Sequence, residues 1–208
     1  FQNMGDPSFR LAAQAELDRL VQGRTRLFCL GLAVLNAVAG LVHLAFQPLQ
    51  HFKIEAPLAV LTLGAMGFLV HWLGKPRAPF LVDFAAGTAA LLAVAVALLH
   101  LSLSGNLQDT THLLLIVVGA GFFLYSFAWF LLVAAFSALG WIGVHLAGPP
   151  SDSGLHYGVE VGTAILLGLL IHAARSFLLK KFLELLIQKQ RHQSEQTRIT
   201  ADLREALD

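Results

Sequence analysis

Charged side chains are scarce. Only 13% of the 208 residues are Asp, Glu, Lys or Arg, against about 25% in an ordinary soluble domain, while 56% are hydrophobic and the mean hydropathy is +0.68. That balance excludes a water-soluble globule and implies an integral membrane protein. Neither sign of charge is in excess, with a formal net charge of +1, so nothing marks a nucleic-acid surface. The one cysteine, Cys29, lies inside an apolar run and has no intrachain disulfide partner, so it reads as a small buried hydrophobe. No cleavable signal peptide is expected within these residues, because the first long apolar run begins only at Leu27. Also missing are a hydrolase nucleophile motif, a phosphate loop and a zinc-protease helix, and the chain is read as non-enzymatic. After Gly168 there is neither glycine nor proline. From Val159 onward an apolar segment therefore passes into a charged one with nothing to break the helix. Phe1-Gln2 reads as a protease-tag remnant and Asp208 stops inside a helical pattern, so the sequence is expected to be a piece of a longer chain.

What is present divides by hydropathy. Residues 1–26 read as a cytoplasmic amphipathic helix, with Phe9, Ala13, Leu17 and Leu20 at helical spacing and Asp6 or Ser8 as cap. Arg10, Arg19, Arg24 and Arg26 suit anionic headgroups; the alternative is a solvated helix packed on its own domain. Leu27 to Phe46 has the length a bilayer core demands and forms span one. A polar loop is expected at Gln47 to Glu55, span two at Ala56 to Leu73, a basic turn at Gly74 to Arg77, and span three from Pro79 or Phe80 to Leu103. His112 to Leu146 is uncharged and too long for one span, so it is split near Tyr125 to Trp129, where Ser126 is the only aliphatic polar residue. Gly148 to Ser153 is an outer turn, and span six follows from about Leu155 to Ala174.

Six spans put the N-terminal arginines, Lys75, Arg77, Arg175, Lys180 and Lys181 on the cytoplasmic side and only Lys53 outside, as the positive-inside rule requires. The predicted fold is thus all-α: a six-helix transmembrane bundle over residues 27–176, with a cytoplasmic extension of the last helix over 177–208. In that extension Leu178, Phe182, Leu185, Lys189, His192, Gln196, Ile199, Leu203 and Ala206 alternate steps of four and three, the seam of a coiled coil with a polar middle. A seam so filled is weak and allows two packings of similar energy. His192 lacks the acidic residue and downstream proline that follow a kinase phosphoacceptor, so it is not read as one. Gly154, Gly158 and Gly162 recur every four residues, which lets another helix approach closely.

The chain has nine histidines. Under the six-span topology His43, His51, His100, His112, His145 and His156 fall on the outer side, with Glu160 one helical turn after His156 and with Glu55 and Asp109 nearby. Imidazole suits Zn, Cu or Fe, and a site needs three or four ligands from different elements. His43, His100, His112, His145, His156 and Glu160 are therefore candidate ligands of a transition metal near the outer face. The bland alternative is amphipathic rings resting at headgroup depth. Haem ligation, including by the inner pair His71 and His172, and proton sensing remain open beside them. Asp83, inside a span, is expected to pair with Arg77, Lys75 or His71, and Asn36 to hydrogen-bond to a neighbouring helix or line a cavity.

A basic amphipathic N-terminus, six spans with short loops, and a last span running into Glu195-Gln196-Thr197-Arg198-Ile199-Thr200-Ala201-Asp202-Leu203-Arg204-Glu205-Ala206-Leu207 resemble the six-helix membrane sensor module of bacterial signalling proteins. That resemblance implies a homodimer in the bacterial inner membrane with both termini cytoplasmic. It also implies an output domain after the coil, of histidine kinase, diguanylate cyclase or class III adenylyl cyclase type. The expected function is a receptor that relays a ligand, metal or cofactor state through the coil. The alternative is a membrane redox protein loaded with haem or metal. A small transporter is the third reading and fits least, since mid-membrane ionisable groups are few and no pair of interrupted helices marks a substrate site.

Overall fold

The structure is a computed structural model that describes residues 7–46, 49–148 and 154–207. It is all helical among the described residues: α1 Pro7–Phe46, α2 Leu49–Trp72, α3 Pro79–Ser104, a 3-10 turn at Leu107–Asp109, α4 Thr110–Phe123, α5 Phe127–Ala147 and α6 Gly154–Leu207. The chain divides into two compact units, one of Val21–Ala173 and one of Phe1–Leu20 with Ala174–Asp208.

Several boundaries follow from local chemistry. The change from polar to apolar at residue 26 does not interrupt α1, because polarity changes the surroundings and not the backbone, and the helix holds no proline after Pro7. The polar stretch expected as a loop from Gln47 to Glu55 is helical from Leu49 onward. It holds no glycine, and Gln, Lys and Glu are good helix formers; Gln47 and Pro48 lie outside the described residues. Pro79 starts α3, where its missing N–H has no intrahelical partner to lose. Gly105 ends that helix in the left-handed region, φ 63°, with its N–H donating to the Leu101 carbonyl. The long apolar stretch does break, at Leu124 to Ser126, within a residue or two of the expected position. Asp83 Oδ1 accepts the Ser126 N–H at 3.1 Å, so a carboxylate sits at the positive end of α5.

Within Val21–Ala173, α3 is central, packing on α2, α4 and α5. The sequence permits this because most of its buried positions are small, Ala85, Ala86, Gly87, Ala89, Ala90, Ala93 and Ala97, beside the larger Val82, Val94, Leu98, His100 and Leu101. Short side chains let helix backbones come close to one another. The Trp129 ring of α5 fills the space over Gly87, and Leu98 fills that over Gly140. At α4, Gly121 lies against the main chain of Gly168 in α6, and Phe130 packs on Gly168. From α1, Phe28 stacks on Phe123 at 4.8 Å. Asn36 donates to the Leu32 carbonyl of its own helix at 2.8 Å, and among the described residues it has no bond to a neighbouring helix.

Gln22 ties α1 to the basic turn. Its Nε2 donates to the carbonyls of Leu73 at 2.8 Å and Lys75 at 2.5 Å, and its Oε1 accepts the Arg77 N–H at 3.2 Å. Arg77 in turn lies 4.5 Å over the Trp72 ring. Gln22→Ala removes three bonds from a partly buried turn; with each net bond worth about 1 kcal/mol, we expect a loss of roughly 2 kcal/mol in unfolding experiments, against near zero for Gln14→Ala on the exposed part of α1.

Among the described residues three helices are long and apolar enough to cross a membrane: Pro79–Ser104, Phe127–Ala147 and Gly154–Arg204. That is fewer than the six spans expected. Thr110–Phe123 is apolar but has only 14 residues, about 21 Å at helical rise against a hydrocarbon core of about 30 Å. The apolar part of α2, Ala59–Trp72, is short in the same way. In the second unit Lys181 pairs with Glu184 at 3.0 Å on an exposed face. The seam residues Leu178, Leu185, Ile199 and Leu203 are 57–64% exposed.

Candidate functional site

The end of the Val21–Ala173 unit where α3 stops and α4 starts gathers His100, His112 and His145, three of the histidines expected on the outer side. His100 is in the last turns of α3 and buried. Its Nε2 lies 3.2 Å from Asp109 Oδ2, and the His112 ring meets it edge-on at 6.4 Å between centroids. The 3-10 turn makes this possible by folding residues 107–109 back over the end of α3. The neighbouring helix contributes Trp141, whose Nε1–H donates to the buried Thr110 hydroxyl at 3.3 Å. The indole thereby pins α5 to the start of α4 with its polar atom satisfied, as a buried tryptophan requires. His145, one turn on, stacks on Trp141 at 5.3 Å with the rings 13° apart.

Alpha-6 supplies the floor. Gly154 lies directly against the His145 ring, so that a side-chain carbon there would overlap it, and one at Gly158 would come within 3.1 Å of Trp141. Two glycines of the repeat expected to admit a neighbouring helix thus admit aromatic side chains of α5, while Gly162 faces open space. His156 pairs with Glu160 at 3.1 Å, as their spacing implies, but His156 is 71% exposed and turns away from the buried rings. Between the C-terminal turns of α3 and α5 lies a cleft of about 170 Å³.

The six candidate metal ligands are therefore distributed. His100 and His112 share one contact with Asp109 beside them, His145 stacks on Trp141, and His156 with Glu160 forms a separate exposed pair. The side chains of His43, His51 and Glu55 lie outside the described residues. Among the described residues no three His, Cys, Asp or Glu side chains gather closely enough to hold one metal ion. Of the inner pair, His71 is exposed, whereas His172 is buried between Phe127 and Phe130, each at 5.6 Å. Trp141 and Thr110 were not singled out from the sequence; a lone tryptophan in an apolar run carries no signal of its partner. No family model matches the chain, and no curated protein or solved structure matches it either.

Proposed function

We propose that the chain is a membrane sensor: a six-crossing bundle receives a stimulus at the His100–Trp141 end, and α6 relays it to a cytoplasmic dimeric coil followed by an output enzyme. The observation that supports this best is the continuity of α6. It begins with Gly154 and Gly158 under the His145 and Trp141 rings and runs unbroken to Leu207. Its later part exposes Leu178, Leu185, Ile199 and Leu203 at heptad spacing, a stripe that a second copy in parallel would bury. The three long apolar helices and the placement of basic residues favour insertion in a membrane with both termini on the cytoplasmic side. The remaining crossings are assigned to Leu27–Phe46, to α2, and to α4 lengthened by the 3-10 turn before it and the extended residues after it. For the alternative, a metal-loaded redox role, no three described donors gather around one point.

Single cysteines at Leu185, Ile199 and Ser194, oxidised mildly in membranes, test the coil. Leu185 and Ile199 lie on the seam and Ser194 on the opposite face. Disulfide-linked dimers are expected at Leu185 and Ile199 and not at Ser194. Equal yields at all three positions, or none on the seam, would remove the transmission element.

A further inference from the structure

The cleft between α3 and α5 has a definite chemistry. Leu101, Leu107, Val144 and Ala147 supply apolar walls, and Ser102 and the His145 ring supply the polar edge. Gly105 and Gly148, which also line it, are the C-caps of the two helices, and their N–H groups close the last main-chain bonds, to Leu101 and Val144. The carbonyls of Ser102, His145 and Ala147, residues that line the cleft, lie beyond those bonds in the last turns, whose acceptors have no partner within their own helix. Trp129 over Gly87 and Leu98 over Gly140 show that α3 and α5 run side by side in the same direction. Both negative dipole ends, roughly half an elementary charge each, therefore border one cleft. Between Arg77 and Arg175 the sequence holds no lysine or arginine, while Asp109 and Glu160 are on this side.

From this geometry we infer a binding site for a small organic ammonium ion, an amine with a compact hydrocarbon body. An anion would meet carbonyls and find no lysine or arginine in the lining. A bare inorganic cation would leave four apolar walls unused. A protonated amine places its three N–H donors on the carbonyls and the Ser102 hydroxyl, and its body against the leucines and valine. A cavity of about 150 Å³ accommodates benzene, so a body of about six carbons fits the cleft of about 170 Å³. His145 forms one wall and stacks on Trp141, which abuts Gly158 of α6, so an occupant there touches the packing of that helix. This names the stimulus class for the sensor reading and rests on that reading for its consequence, though the binding itself does not.

The test uses the full chain in phosphatidylcholine nanodiscs, with cyclohexylammonium, cyclohexanol and cyclohexanecarboxylate as probes followed by saturation-transfer NMR. The ammonium is expected to bind at least tenfold more tightly than the alcohol, and the carboxylate not to bind. Ala147→Phe and Ser102→Phe fill the cleft from opposite walls; both positions are exposed, so the thermal midpoint should hold while ammonium affinity falls at least tenfold in each. Equal or tighter binding of the alcohol or carboxylate overturns the proposal, as does absence of ammonium binding at 100 mM concentration or binding unchanged in the two variants. Intact binding with a failed Leu185 and Ile199 crosslink would instead sink the relay and leave the site standing.

Discussion

Gly121→Ala should destabilise the bundle by roughly 3 kcal/mol, the upper end of what overpacking costs, while Gly162→Ala should leave it unchanged or strengthen it by about 0.5–1 kcal/mol. Both residues are glycines inside apolar helices, and helix propensity alone favours alanine at each. The difference is what the new methyl meets. At Gly121 it would overlap the main chain of Gly168, which cannot rotate away as a side-chain tip can; at Gly162 nothing lies within 4 Å. Relief would require α4 and α6 to separate where Val117 and Phe130 also press on Gly168. Unfolding by SDS titration or heat in detergent gives the two signs directly. A similar small gain from both substitutions would show that α4 and α6 do not cross at these glycines.

Asp83→Leu is expected to cost about 2–3 kcal/mol and Asp83→Asn about 1 kcal/mol, as charge-assisted bonds exceed neutral ones by roughly twofold. Ser126 is the N-cap residue of α5, and its N–H donates to the Asp83 carboxylate from α3 across the bundle. Leucine leaves that donor without its acceptor near the break between α4 and α5. Asparagine preserves the oxygen and loses only the charge that complements the helix end. Amide exchange at Ser126 should quicken in Asp83→Leu well beyond the global change and only slightly in Asp83→Asn. Equal losses in stability with unchanged exchange at Ser126 would assign the value of Asp83 to a different partner.

What the sequence made legible was mainly axial. Counting hydrophobic length placed α3 nearly to the residue and required the break that Leu124 to Ser126 provide. Helical spacing also paired His156 with Glu160. Lateral information was faint. Gly121 and Gly168 are far apart in sequence and resemble any other glycine in an apolar run, and the alanines of α3 mark a central helix only once its neighbours are known. Depth alone grouped six candidate ligands, yet rotation about each helix decides whether residues at one depth meet. It brought His112 and Asp109 to His100, left His145 to an indole and turned His156 outward. The expected loop before α2 failed for another reason: polarity there reports position and not backbone conformation.

Cys29 is 0% exposed, packed within the core that joins α1 to the bundle, and it is the chain's single thiol. Maleimide reagents should pass it by while the fold is closed, so reporter cysteines can be introduced without first removing it. When α1 does lift from its neighbours, that same thiol becomes reachable. Its alkylation rate is then a clock for how often the native bundle opens, readable in the unmodified protein by mass alone.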